Sequence, residues 1–306
     1  MSARKFIVSC DNCADMPKSW YERNDVHCLP IKRILGGKEF EEIFDKDAEF
    51  DTFYEELKRG ELPTTSAINP FEFKERFEKL LKGEPNCDLI HISLSSGLSV
   101  TFNNAKSAAA EVTKGMDGKH TVYAFDSLMG TLGMGDQVEE LVKLRDQGMS
   151  AEDAVAHLET YRDHQHGWVI MSDLFHLKRG GRIKPAQAII GAALNIRPII
   201  HLSAKGKLPV ENKVRGNIKA VKYILSRMEK YGDKYMKENG GDFSKSTVWV
   251  VRTSNSDLYT MLHDNIRATY PDIHIKTGIV GPVIGTHLGN GGAAVLFHGA
   301  PRLDIE

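Results

Sequence analysis

Three short segments of this chain carry hydroxyl or imidazole groups at spacings that suit the capture of an anion. In Leu89-Ile90-His91-Ile92-Ser93-Leu94-Ser95-Ser96-Gly97-Leu98-Ser99, a β-rich run meets adjacent serines and a glycine, and helical sequence follows. In an open α/β sheet, ligands bind beyond the carboxyl ends of the strands, where the next helix points free N–H groups outward. Serine hydroxyls there add donors, and Gly97 lets the backbone approach closely. Such a turn suits a carboxylate or a phosphate; the same serines also serve as helix caps, and the two roles are compatible. Pro63-Thr64-Thr65-Ser66 is a second hydroxyl cluster, in a stretch whose composition is that of a loop. Connections at one end of a sheet converge, so two such clusters can make one site. His287 lies in a segment with six glycines over 278–292, where tight turns and close backbone approach are expected. A histidine there either donates to a carboxylate or packs as a structural residue.

Other chemistries find less support. No G-x-S-x-G elbow surrounds Ser95 or Ser96, so a serine hydrolase or acyl transferase using His287 as base is the weaker reading. There is no G-x-x-x-x-G-K-[ST] phosphate loop, and Gly289-Asn-Gly-Gly-Ala-Ala294 precedes the last strand with no room for a dinucleotide-binding βαβ unit. Asp11 and Asp15 follow the first strand as a turn and helix start, with no third acidic partner for a metal. Cys10 and Cys13 have CxxC spacing but no second pair for zinc and no thioredoxin-like context, so the spacing is taken as coincidence and no metal site is expected.

The elements that must position these groups alternate. Strands are expected at 6–10, 88–95 and 121–125, and helices at 47–59, 70–81, 99–112, 135–147 and 150–165. Asn69-Pro70 is a helix start with an Asn cap and Pro at the first helical position. Alternation of this kind predicts a mostly parallel sheet flanked by helices. From Gly167 the texture changes: a strand at 168–171, the basic glycine turn Lys178-Arg-Gly-Gly-Arg182, a helix reaching about Ala193, and a strand at 198–202. A long amphipathic helix over 217–238, a strand at 247–251, a helix over 256–269 and a final strand at 293–297 complete it. The expected division is an N-terminal α/β domain of residues 1–166 with the hydroxyl clusters and a C-terminal α/β domain of residues 167–306 with the glycine-rich histidine loop.

Composition narrows the class. The 306 residues exceed one ordinary hydrophobic core, which favours two domains. A formal net charge of −1, with 40 basic and 41 acidic residues, provides no field that draws nucleic acid. No apolar run reaches the roughly 18 residues needed to span a bilayer, and no signal-peptide-like apolar region follows Arg4-Lys5, so a cytoplasmic protein is expected.

Taken in order, the motifs resemble the DegV family, which includes the fatty-acid-binding subunits of bacterial fatty acid kinase. The resemblance is carried by the Asp11 turn, Leu29-Pro30-Ile31, Pro63-Thr-Thr-Ser66, Ser95-Ser-Gly-Leu-Ser99, Phe125-Asp-Ser127 and Asp173-Leu-Phe-His-Leu-Lys-Arg-Gly-Gly-Arg-Ile183. It continues through Ile196-Arg-Pro-Ile199, Lys213-Val-Arg-Gly216 and Gly281-Pro-Val-Ile-Gly-Thr-His-Leu-Gly289, and so spans nearly the whole chain. Asn12 stands where the family usually has serine, Val100 replaces a usual glycine, and Gly289-Asn-Gly291 replaces Gly-Pro-Gly.

The resemblance implies a two-domain DegV-like fold and a carrier that is not an enzyme. A long-chain fatty acid such as palmitate or oleate would lie in a buried apolar tunnel, as ligand and not as cofactor. Its carboxylate would meet Thr65, Ser66, Ser95 or Ser96, and His287, with Arg215 behind them. A separate kinase would then phosphorylate the bound acid to an acyl-phosphate, for phospholipid metabolism, with Arg182 as a partner contact. A carrier of another apolar carboxylate is the remaining alternative.

Overall fold

A computed structural model describes residues 6–84, 86–116, 118–186 and 195–302. Along the chain come β1 (Phe6–Asp11), α1 (Lys18–Arg23), β2 (Val26–Leu29), β3 (Lys32–Leu35), β4 (Lys38–Phe40), α2 (Asp47–Lys58), β5 (Thr64–Ser66) and α3 (Pro70–Leu81). They are followed by β6 (Asp88–Ser93), α4 (Thr101–Gly115), β7 (Val122–Asp126), α5 (Thr131–Asp146) and α6 (Ala151–Asp163). The chain forms two compact units, Met1–Asp45 with Pro63–Arg162, and Lys46–Leu62 with Asp163–Glu306.

The first unit holds a four-stranded sheet in the order β2-β1-β6-β7, with every pair parallel. All six residues of β6 are buried, as a central strand covered on both faces requires. Its neighbour α3 begins as its sequence dictates: Asn69 Oδ1 accepts the Glu72 N–H at 2.9 Å, and Glu72 answers by accepting the Asn69 N–H at 3.2 Å. Phe73 and Phe77, one turn apart on the apolar stripe, close on His91 with ring centroids 5.1 and 5.3 Å away. His91 bonds Ser9 Oγ at 3.0 Å, and burial lowers its pKa to about 3, so it is a neutral core residue.

A separate antiparallel sheet, β4-β3-β5, was not expected. Its strands are short, and Thr64–Ser66, expected as loop, forms its β5 edge. Because β1, β2, β6 and β7 are parallel, Asp11, Leu29, Ser93 and Asp126 finish at one end of the larger sheet, and the serine turn begins there.

The second unit contains β8 (Gln165–Ile170), α7 (Phe175–Arg179), β9 (Ile196–His201), β10 (Val210–Arg215) and α8 (Asn217–Met228). After a π-helical turn (Glu229–Asp233) come α9 (Lys234–Glu238), β11 (Thr247–Arg252), α10 (Asp257–Thr269), β12 (His274–Ile279), α11 (Pro282–Leu288) and β13 (Ala293–His298). The expected helix over 217–238 is thus α8, the π turn and α9. The sheet order is β10-β9-β8-β13-β11-β12, antiparallel except for β11 with β12. Ala220, Val221, Ile224 and Met228 of α8 and Leu258, Leu262 and Ile266 of α10 recur at helical spacing and pack with Trp168, Val248, Val250 and Val295 in one core.

These pairings set β8, β10, β11 and β12 in one direction. Their carboxyl ends therefore share an edge with α7, with Arg215 and with the start of α11. The expected helix between Arg182 and Ala193 falls mainly on residues outside those described. Among the described residues no helix is long and apolar enough to cross a membrane.

One segment departs from a contiguous division at residue 166. Lys46–Leu62 groups with the second unit. The reason is packing: α2 buries Phe50, Phe53, Tyr54 and Leu57, and Tyr54 donates its hydroxyl to Val280 O at 2.8 Å. A side chain at Gly285 would meet the Phe53 ring and the Tyr54 hydroxyl, both at 2.7 Å, so α11 and α2 touch where only glycine fits.

Candidate functional site

Two carboxylates build the serine turn. Asp11, wholly buried at the end of β1, accepts the Leu94 N–H at 2.7 Å and the Cys13 N–H at 3.0 Å. Asp126, at the end of β7, accepts the N–H of Ser96 at 3.0 Å and of Leu128 at 3.1 Å. Leu128 passes through the left-handed region (φ 48°), and Ser95 N–H reaches Met129 O at 3.0 Å just beyond it. The Phe125-Asp126-Ser127 motif therefore staples the serine turn to the next strand.

The adjacent serines divide their work. Ser95 is wholly buried; its Oγ accepts the Gly97 N–H at 3.1 Å, and its carbonyl accepts from Leu98 and Ser99 at 3.0 and 3.2 Å. Ser96 is exposed, so its hydroxyl, unlike that of Ser95, faces outward from the turn. The N–H groups of Ser96, Gly97, Leu98 and Ser99 are all engaged inside the turn, so the outward backbone donors expected there are absent from these positions. Helix α4 then starts at Thr101, whose N–H bonds Ser99 Oγ at 3.2 Å. Val100 stands 59% exposed beside the turn, so its bulk projects outward and not into the turn's own packing.

The second hydroxyl cluster is fixed to the same unit by two devices. On β5, Thr65 is half-buried opposite Arg33, and Ser66 is exposed opposite Lys32. Arg33 is only 4% exposed and forms a two-pronged bond with Glu42, both contacts at 2.7 Å, under the Phe40 ring. From α4, Asn104 donates to Ile68 O at 2.8 Å, tying the segment after Ser66 to the helix that follows the serine turn. Neither Asn104 nor Asp126 is assigned a role by sequence reasoning; Asp126 sits in a recognised motif, whereas Asn104 has no local signal.

In the second unit the glycine-rich segment contains a helix, α11, where only tight turns were expected. His287 occupies its last turn. A side chain at Gly180, the C-cap of α7, would overlap His287 Nδ1, and one at Gly289, the C-cap of α11, would overlap the His176 ring. Burial, then Arg182, Arg179 and His176, lower the His287 pKa to about 3. Its imidazole is therefore neutral at physiological pH, able to donate a hydrogen bond but a weak general base. Arg182 is half-buried and donates to Gly180 O, while Arg179 reaches Thr286 O at 3.5 Å. Arg215 ends the edge strand β10 with an exposed side chain.

A groove of about 1240 Å³ in the first unit is lined by residues including Tyr21, Cys28, Leu29, Pro30, Arg76 and Met149. Thr65, Ser66, Ser95 and Ser96 do not line it. Among the described residues, no three His, Cys, Asp or Glu side chains are grouped to hold a metal ion.

A family model described as "Uncharacterised protein, DegV family" matches residues 5–299. The chain belongs to the DegV family. Protein DegV of Bacillus subtilis is 31% identical over 292 residues, covering 95% of this chain and 98% of that one. A crystal structure of DegV from the same organism, described as a fatty acid binding protein, has a TM-score of 0.80 at 29% identity and covers 97% of this chain and 100% of its own. A DegV family protein from Thermus thermophilus, described by its fatty acid binding, has a TM-score of 0.80 at 24% identity, covers 96% of this chain and 99% of its own, and supports the fold alone.

Against the DegV pattern, Asn12 has a physical role of its own. It accepts the Ile31 N–H at 2.9 Å and donates to Ile31 O at 3.2 Å and Glu42 O at 3.0 Å. The two bonds to Ile31 hold the Leu29-Pro30-Ile31 motif to the Asp11 turn, and the third ties Glu42 to it.

Proposed function

We propose that this protein binds a long-chain fatty acid and carries it without catalysing its reaction. The supporting observation is the likeness, over nearly the full chain, to the B. subtilis DegV structure described as a fatty acid binding protein, at 29% identity. On this reading Thr65, Ser66 and Ser96 donate hydroxyl hydrogens to the carboxylate, and Ser95 shapes the turn that presents Ser96. The DegV resemblance adds His287 and Arg215 to the donors.

The energetics suit such a ligand. Each buried methylene contributes about 0.8 kcal/mol, so a chain of about 15 methylenes has roughly 12 kcal/mol available before ordering and association costs. The tail supplies affinity. The head group needs donors, because a buried carboxylate without partners is expensive, and hydroxyls with a neutral histidine and an arginine meet that need.

The carrier would present the carboxylate to a separate fatty acid kinase, with Arg182 as a contact, for acyl-phosphate formation in the bacterial cytoplasm. It needs no nucleotide site of its own for that.

Gentle purification followed by native mass spectrometry should show added fatty-acid mass, and the Thr65→Ala/Ser96→Ala variant should lower that occupancy. Full occupancy in the folded double variant would overturn the head-group assignment, and absence of lipid after incubation with palmitate or oleate would overturn the carrier. Acyl-phosphate formation by a purified fatty acid kinase should require this protein; equal turnover of free acid without it would remove the presenting role.

A further inference from the structure

The CxxC spacing of Cys10 and Cys13 drew attention in the sequence, but the fold gives Cys10 a different neighbour. On β1 and β2, Cys10 is the register partner of Cys28 in a parallel pair. Adjacent strands lie roughly 4.8 Å apart, and paired residues project from the same face of the pleat. A disulfide needs a Cα separation of about 4.4–6.8 Å, so these backbones already stand where a bond between the two side chains can close. As register partners the two side chains lie on one face of the sheet, near enough for Cys28 to help raise the Cys10 thiol above its usual range. All four cysteines of the chain are free thiols in this structure.

Access distinguishes the two sulfurs. Cys28 is half-buried and lines the groove of about 1240 Å³. Cys10 and Cys13 are wholly buried. A small oxidant therefore meets Cys28 first, and the sulfur waiting behind it is Cys10. Cys13 lies beyond the strand, in a 3-10 turn fixed by its N–H bond to Asp11 at 3.0 Å.

We propose that Cys28 and Cys10 are a reversible oxidation site, closing to a disulfide when hydrogen peroxide enters the groove. The Cys28 sulfur attacks one peroxide oxygen, the O–O bond breaks, and Cys28 becomes a sulfenic acid as water leaves. The Cys10 sulfur then attacks the Cys28 sulfur, the S–O bond breaks, and a second water departs with the Cys10 proton. Both sulfurs are oxidised and both peroxide oxygens are reduced to water, so no further electron carrier is needed. Thiol exchange with a small dithiol reverses the bond. Burial and the neighbouring Cys28 raise the Cys10 thiol above its usual range, so the second step should accelerate as pH rises. The pair ends one residue before Asp11, the carboxylate that holds Leu94 and with it the start of the serine turn.

The test is peptide mapping of the intact, reduced protein after stoichiometric hydrogen peroxide and alkylation of residual thiols. The expected result is a cross-link between the peptides carrying Cys10 and Cys28, loss of two of the four titratable thiols, and recovery of both with dithiothreitol. Cys13→Ser should leave the cross-link intact, and Cys28→Ser should abolish it with Cys10 still reduced. A Cys10–Cys13 bond, an intermolecular Cys28 pair, or Cys28 advancing to sulfinic acid with Cys10 reduced would each overturn the proposal. Should Cys28→Ser fail to fold, trapping sulfenic acid on Cys28 of the natural chain with a cyclic dione, at the expense of the cross-link, decides the order of events.

Discussion

The ring of His287 occupies the space that a side chain at position 180 would need: a methyl group on Gly180 would overlap His287 Nδ1. The relation is reciprocal, because a side chain on Gly289 would overlap His176. Helices α7 and α11 each end on a glycine that lies under the other's histidine. Gly180 has φ −74°, which alanine adopts freely, so Gly180→Ala tests the contact and not the backbone. The expected loss is about 1–3 kcal/mol, as for overpacking elsewhere. In denaturant titrations, His287→Ala should restore part of it, because the ring that clashes is gone. Simple additivity of the two substitutions would contradict the contact.

Ser95 and Ser96 should separate stability from binding. Ser95→Ala removes the acceptor of the Gly97 N–H in a wholly buried setting and should cost about 1 kcal/mol or more. Ser96→Ala removes an exposed hydroxyl and should change stability by less than about 0.5 kcal/mol while lowering fatty-acid occupancy. Urea midpoints and native mass spectra of both variants check this. Loss of occupancy in neither variant would exclude the turn from the head-group site.

Why the sequence revealed one part of this site and not another is clear from these residues. The start of α3 is legible because Asn69, Pro70 and Glu72 form the cap by themselves. The β6 run is legible because burial on both faces leaves an unbroken apolar pattern around His91. Edge strands such as β10 lack that pattern, and α11 is hidden among glycines because its contacts lie with α2 and α7. The membership of α2 in the second unit depends on Tyr54 meeting Val280, 226 residues away, which no local signal reports. Likewise the hydroxyl clusters are plain in the sequence, but which serine faces outward is decided by Asp126 and Met129.

Arg33 and Glu42 should prove a stability pair beneath Thr65. Removing one partner of a buried ion pair costs about 3–5 kcal/mol, whereas replacing both with apolar residues of similar size is often close to neutral. Glu42→Ala should therefore lower stability by about 3 kcal/mol, towards the low end because Glu42 retains 19% exposure. Arg33→Met/Glu42→Leu should lower it less than the single change. If equilibrium unfolding shows the double variant to be the weaker, the pair is not the determinant.

Asp11 is a carboxylate whose charge is disfavoured by folding. The N–H groups of Leu94 and Cys13 favour its ionised form, yet burial outweighs them and raises its pKa from 3.8 to about 6. An acid with a higher pKa in the folded state holds its proton more tightly there. Its contribution to stability is therefore fully present below about pH 4 and is lost as pH rises through about 6. A shift of about two units, at about 1.36 kcal/mol per unit, spans roughly 3 kcal/mol. Asp11→Asn removes the ionisation while keeping the shape. The natural chain's stability relative to this variant should fall by about that amount between pH 4 and pH 7, then level off. Urea titrations of both proteins across the range measure the difference directly. A difference that stays flat, or widens in favour of Asp11 as pH rises, would show that its bonds to Leu94 and Cys13 outweigh its burial.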